Sequence, residues 1–236
     1  DLLYMVRKRN YKSYYGFNSK RKGRRSAWRS IKGRARFTRD YTNFVANKAL
    51  ATAKYVKSLI NVEYKHLDSS SAASVSSTPS VFCLTGMAQG DTSITRNGDS
   101  VKAKSLWANW TLQGDTAAES SFVRVLFVLD TLNSGTPTLD GGTDNSVMES
   151  SGIVAMRDLH NTSRFKVLFD KTYSFSNNSN EAKRGQFFCK LNHDSTFDGT
   201  TSTDLRANHI WRIIYSDQAT NTPTLTAKFR YRYIDN

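Results

Sequence analysis

Seven short runs between Val81 and Asp235 constrain the fold of this chain more than any other feature. They read VFCLTGMA, SVKAKSLWANWTL, SFVRVLFVLD, RFKVLFDKTYSF, GQFFCKLN, HIWRIIYSD and TLTAKFRYRYID, each set off by Gly, Asn, Asp, Ser or Thr. Runs of this length, rich in β-branched and aromatic residues, are strand-like. No strong helical pattern follows Asp68, so seven or eight strands predict an all-β sandwich or barrel. In the last run Lys228, Arg230 and Arg232 share one face, and Ala227, Phe229, Tyr231 and Tyr233 share the other. A row of three cations is costly to bury, so that face is expected to meet solvent or phosphate. Lys102 and Lys104 in VKAKSLW alternate in the same way. Leu132 to Asp158, rich in Gly, Ser, Thr and Asp, is expected to be a long surface loop.

Charge divides the chain unevenly. Of the formal +14, the segment Asp1–Arg39 carries +13, with fourteen Lys and Arg against Asp1 alone; Asp40–Asn236 carries +1, twenty against nineteen. The first segment holds Arg7, Lys8, Arg9 and Lys12, then Lys20, Arg21, Lys22, Arg24 and Arg25, and then Arg29, Lys32, Arg34, Arg36 and Arg39. A block of one sign repels itself, which predicts a disordered tail or a segment ordered by a polyanion. Trp28, Phe37 and the tyrosines Tyr4, Tyr11, Tyr14 and Tyr15 are interleaved with these cations. Stacking and phosphate contact together point to nucleic acid, single-stranded, as the partner. Lys20-Arg21-Lys22 followed by Arg24-Arg25 also has the composition of a nuclear-import signal.

At 236 residues there is room for one domain and an arm. The expected order is a basic arm over 1–40, an amphipathic helix over 41–68, a small-residue linker SSSAASVSSTPS over 69–80 and the β-domain over 81–236. Within 41–68, Val45, Ala49, Ala53, Val56, Leu59 and Ile60 fall within about a third of a turn at the helical period. Lys54, Lys57 and Lys65 lie on the neighbouring arc, where a polyanion can reach them, and Asp40 is placed to be the N-cap.

Chemistry is absent from the pattern. No GxSxG, HExxH, P-loop or GxGxxG occurs, so no enzyme of these classes is expected. The four histidines are dispersed, and Cys83 and Cys189, with no CxxC pair, are expected to be buried small hydrophobes. The longest apolar run, Val125–Leu129, is far short of the roughly twenty residues that span a bilayer, and no secretory signal is seen. No membrane partner and no cofactor are expected. Asp91, Asp99 and Asp130 are of the type that binds calcium at a subunit contact, and the sequence does not choose among them. The chain begins at Asp1 rather than Met and is expected to be part of something longer.

Several ordered pieces resemble a known family: Gln89-Gly90-Asp91, then Arg96-Asn97-Gly98-Asp99 before a basic strand, Val123 to Thr138 with VRVLFVLDTLNSGTPT, and Arg164-Phe165 through Asp170. From about Val56 to Phe175 the set resembles the coat proteins of satellite tobacco necrosis virus and of circular single-stranded DNA viruses that encode a replication initiator. The resemblance implies a single viral jelly roll of two four-stranded antiparallel sheets. It also implies an icosahedral shell of about sixty copies, or more in larger shells, with the arm pointing inward onto the genome. NVEYKHLD and RFKVLFDK are closer to the DNA viruses, which implies a single-stranded DNA genome in preference to an RNA one, with RNA as the alternative, and assembly in a host nucleus. If the first strand neighbours the last, Lys102 and Lys104 join Lys228, Arg230 and Arg232 in a second basic patch. Two other classes fit composition: a cellular single-strand-binding β-barrel with a cationic tail, and a β-sandwich lectin.

Overall fold

The computed structural model describes residues 26–59, 64–118, 120–177 and 180–235, and within the first of these the side chains of residues 40–56. The chain forms two units, Asp1–Asn61 and Val62–Asn236.

The first unit contains one helix, α1 (Ser26–Leu59). It starts inside the basic segment, where Ala, Arg and Lys are good helix formers, and it stops before the expected end at Asp68. Asp40 therefore lies within the helix and is not its N-cap. From Asp40 to Val56 every side chain is exposed, the apolar arc of Val45, Ala49, Ala53 and Val56 included.

In the second unit the strands are β1 (Tyr64–Ser74), β2 (Ser80–Cys83), β3 (Ser100–Gln113), β4 (Ser121–Asp130), β5 (Phe165–Phe175), β6 (Ala182–Lys190), β7 (Asp194–Phe197), β8 (Leu205–Ala207), β9 (His209–Ser216) and β10 (Thr224–Asp235). The stretch expected to be helix end and linker is strand β1. Its Ser and Ala residues have little β-preference, but they pair in unbroken register with β10, from Tyr64 opposite Ile234 to Ser74 opposite Thr224. Tertiary pairing overrides propensity here.

Pairing follows one rule: β1 lies beside β10, β2 beside β9, β3 beside β6 and β4 beside β5, all antiparallel. Early strands thus meet late ones, and the long ribbon rolls so that successive pairs fall alternately into two sheets. One sheet runs β1-β10-β3 with β6 and then β7-β8, and the other runs β2-β9-β4-β5. This is a single jelly roll. The sheets have six and four strands rather than four and four, because the partner of β3 is split, β6 pairing with Ser105–Gln113 and β7 with Ser100–Lys102, and because the short β8 adds to the free side of β7.

Between the sheets lies a core in which Phe127 meets Phe187 (5.1 Å, stacked) and Trp110 packs edge-on against Phe127 and Phe169. Gly185 faces the Trp110 indole, and any Cβ there would collide with the ring. A second core lies on the other face of β4 and β9, where Leu126, Val128, Ile213 and Tyr215 pack against Leu139, Val147 and Met148 of the β4–β5 connection. The expected long loop is therefore a cover for the four-stranded sheet, which explains why β4 and β9 are buried along nearly their whole length. Cys83 and Cys189 are half-buried rather than fully enclosed.

Candidate nucleic-acid interface

The last strand sets the geometry. Side chains of Lys228, Arg230 and Arg232 stand exposed on the outer face of the six-stranded sheet, while Ala227, Phe229, Tyr231 and Tyr233 fill the core. The alternation read from the sequence holds along this strand. Rows across the sheet follow from the register. Asp68, Arg230, Trp107 and Phe188 stand side by side on β1, β10, β3 and β6; Ser70, Lys228, Asn109 and Gln186 form the next row, and His66, Arg232, Ser105 and Lys190 the row on the other side.

Along these four strands the outward positions hold one acid, Asp68. Its carboxylate accepts two hydrogen bonds from the Arg230 guanidinium at 2.7 and 2.6 Å. These bonds hold the Asp68 carboxyl below the usual carboxylate range and raise the Arg230 guanidinium. Arg232 lies 4.1 Å from the centre of the Tyr64 ring. Lys228 is exposed beside them. Asp68, Ser70, Trp107, Asn109, Lys228 and Arg230 line a concavity of about 350 Å³.

Lys102 and Lys104 are on β3, which neighbours β10 on the side opposite β1. They thus join the sheet of the β10 cations, although their strand is not the first. Lys102 stands opposite Asp194 of β7. Lys104 is the extra residue of a bulge, since Ser105 pairs with Arg232 and Ala103 with Tyr233.

The remaining expected contacts divide. Lys54 is exposed on α1, and Lys57 lies near its end. Trp28, Arg29, Lys32, Arg34, Arg36 and Arg39 follow the backbone of α1, whereas Arg7, Lys8, Arg9, Lys12, Lys20, Arg21, Lys22, Arg24 and Arg25 lie outside the described residues. Lys65 is a correction: it is on β1 and not on a helix, only 7 % exposed, with Nζ donating to Asp235 Oδ2 at 2.8 Å. A buried lysine tied to a carboxylate is not free for phosphate.

Several of the residues that carried the family resemblance are structural. Arg164 grips Asp130 through two bonds of 2.9 and 2.8 Å and donates to Asp144 O and Asn145 Oδ1 of the covering loop. Arg124 holds Asp170 at 2.9 and 2.8 Å and donates to the carbonyls of Ile153 and Ala155. Asp130 also caps the turn by accepting from the amides of Leu132 and Asn133, the latter at φ 48°. Arg96 is fully buried, bonded to the carbonyls of Gly98 and Gly199 and stacked over Phe197 at 4.2 Å. Both Asp130 carboxylate oxygens are thus committed to Arg164. Among the described residues no group of three metal-binding side chains converges, and no helix is long and apolar enough to cross a membrane.

Sequence reasoning missed Trp107, Asn109, Phe188 and Lys190. Strict alternation from Lys102 and Lys104 puts Leu106, Ala108 and Trp110 on the cationic face, but the bulge at Lys104 reverses the parity and these three are core. Period-two counting restarted at Ser105 exposes Trp107 and Asn109.

No protein-family model matches the chain, and no curated protein sequence matches it. Among solved structures it is similar to that of Desmodium yellow mottle tymovirus, at 11% identity and TM-score 0.31, covering 74% of this chain and 88% of that one. It is also similar to infectious bursal disease virus, Gx strain, at 7% identity and TM-score 0.28, covering 74% of this chain and 32% of that one. The Gt strain gives 8% identity, TM-score 0.27, and 75% and 32% coverage. Likenesses at TM-scores this low add nothing to the jelly roll that the strand order itself establishes.

Proposed function

We propose that this chain is a capsid subunit that assembles into an icosahedral shell and packages a single-stranded nucleic acid, DNA in preference to RNA, through its basic N-terminal segment. The observation that carries this reading is the segregation of charge: +13 before Asp40 and +1 after it, joined to a jelly roll whose own charges are nearly balanced. Confining a genome concentrates phosphate, and a cationic segment on every copy neutralises it with release of counterions. Jelly rolls also serve lectins, but a lectin has no use for a cationic segment of this size. The family resemblance supports a shell of about sixty copies, and the import-like cluster supports assembly in a nucleus. The role is structural, with no catalytic step.

A second reading, a cellular single-strand-binding protein, draws support from one observation: aromatic side chains are exposed on the domain itself, Trp107 and Phe188 among them. Against it stands the strand order, which is not that of a five-stranded oligonucleotide-binding barrel. Light scattering on a size-exclusion column, with the full chain in low salt, separates the two. A megadalton species that loses its nucleic acid, but not its size, on deletion of Asp1–Arg39 is expected. A monomer or small oligomer overturns the capsid reading.

A further inference from the structure

We propose that Trp107 and Phe188 form a base-stacking platform, so that the outer face of the six-stranded sheet is a second binding site for single-stranded nucleic acid. The inference rests on the nucleic-acid reading above and adds to it a site outside the N-terminal segment. Both rings are on the solvent face, 42% and 57% exposed, in positions where an antiparallel sheet ordinarily carries polar side chains. They are directly opposite each other on β3 and β6, which sets their Cβ atoms about 5 Å apart. Two adjacent aromatic surfaces on a rigid sheet suit unpaired bases, which stack on any ring regardless of sequence.

What surrounds the rings selects the occupant. Arg230 flanks Trp107 on β10, Lys228 and Arg232 stand one row away on either side, and Lys190 occupies the row next to Phe188. The backbone of a strand laid across the rings thus finds cations on both flanks. Asn109 and Gln186, facing each other in the adjoining row, present amide donors and acceptors to base edges. The concavity of about 350 Å³ beside Trp107 gives a base room to seat. A second copy of this chain meeting the face about a two-fold axis would bring the same exposed cations, Lys228 and Arg232 among them, to both sides of the contact, with the one outward acid, Asp68, already held by Arg230. The charge therefore favours a polyanion over a protein partner.

The test uses the full chain and a short oligothymidylate carrying 5-iododeoxyuridine, which photocrosslinks to aromatic rings it stacks on. At raised salt, where the phosphate contacts of the N-terminal segment weaken, crosslinks mapped by mass spectrometry are expected on Trp107 or Phe188. The double variant Trp107→Ala, Phe188→Ala is expected to lose about tenfold or more in affinity at that salt, with particle size unchanged. Trp107→Leu, which keeps an apolar side chain, should lose affinity as well and guards against a folding defect. Crosslinks confined to the N-terminal segment, with unchanged affinity, overturn the platform and leave packaging intact. Absence of oligonucleotide binding by the full chain overturns both. Variants that alter particle size but not affinity make the face a contact between copies and overturn the platform.

Discussion

The two outer faces of the sandwich arise from the same alternation of side chains and end in opposite states. On the four-stranded sheet the outward residues of β4 are Phe122, Arg124, Leu126, Val128 and Asp130, and the 131–164 connection folds over the last four while Phe122 stays 42% exposed. There the arginines are consumed: each holds a carboxylate through two bonds and loop carbonyls through the rest. On the six-stranded sheet no described segment of the β-domain covers Lys228, Arg232, Trp107 or Phe188, and the one acid among the outward residues of its four long strands is taken by Arg230. Arginine fixed by a partner builds the fold, whereas cations left at the surface beside exposed rings are available to a ligand.

The covered face is hit hardest when the loop over it is released. Asp130 is fully buried and Arg164 is 7 % exposed, so removing either one strands a buried charge. Arg164→Ala or Asp130→Ala is expected to cost about 3–5 kcal/mol in urea unfolding. The Arg124–Asp170 pair, whose carboxylate is partly exposed, should cost less. A loss under about 1 kcal/mol for Arg164→Ala would mean that apolar packing of Leu139, Val147 and Met148 alone holds the loop.

Much of this contrast is legible in the sequence, and the remainder is not for identifiable reasons. The alternation in Thr224–Asp235 predicts β10 and its two faces correctly, because nothing interrupts that strand. Tyr64–Ser74 reads as helix end and linker since Ser and Ala carry no strand signal, and only β10 makes them a strand. The placement of Lys65 on a helix fails for the same reason. The bulge at Lys104 hides the exposed rings, a one-residue slip that exchanges the faces of everything after it. The loop signature Asp130…Arg164 is visible as a motif, but its meaning as an ion pair requires the fold to bring the two residues together across thirty-four positions.

Acid tests the seam between the sheets. His209 is fully buried; its Nε2–H donates to Thr196 O at 2.8 Å and its Nδ1 accepts the Thr85 hydroxyl at 3.1 Å. Burial pulls its pKa down to about 4 from an ordinary value of 6.5. The unfolded chain therefore takes up a proton between pH 6.5 and about 4 that the folded chain refuses. Stability falls as pH drops through that window, by about 3 kcal/mol in all. His193, also lowered by burial, contributes in the same direction. Unfolding midpoints measured from about pH 7 down to about pH 4.5 should show the decline, and His209→Gln should remove most of it. An unchanged slope in that variant assigns the acid sensitivity to other groups.

The smallest effects belong to the open face, and they are the ones that distinguish it from the covered one. Replacing both Lys228 and Arg232 with Ala should leave the unfolding midpoint unmoved, because both side chains are exposed and an exposed charge contributes little to stability. In binding to single-stranded DNA the same pair of substitutions should reduce the salt slope by about 0.7 for each phosphate that is no longer neutralised. Asp68→Ala works in the reverse sense. It frees Arg230 and removes the acid that repels phosphate at the edge of the concavity, so affinity for single-stranded DNA should rise modestly and become more salt-dependent, with stability unchanged because the pair is exposed. Affinity that falls in Asp68→Ala would mean that Asp68 orients Arg230 toward the ligand instead of competing for it, and the open face would then be a preorganised site rather than a set of independent surface charges.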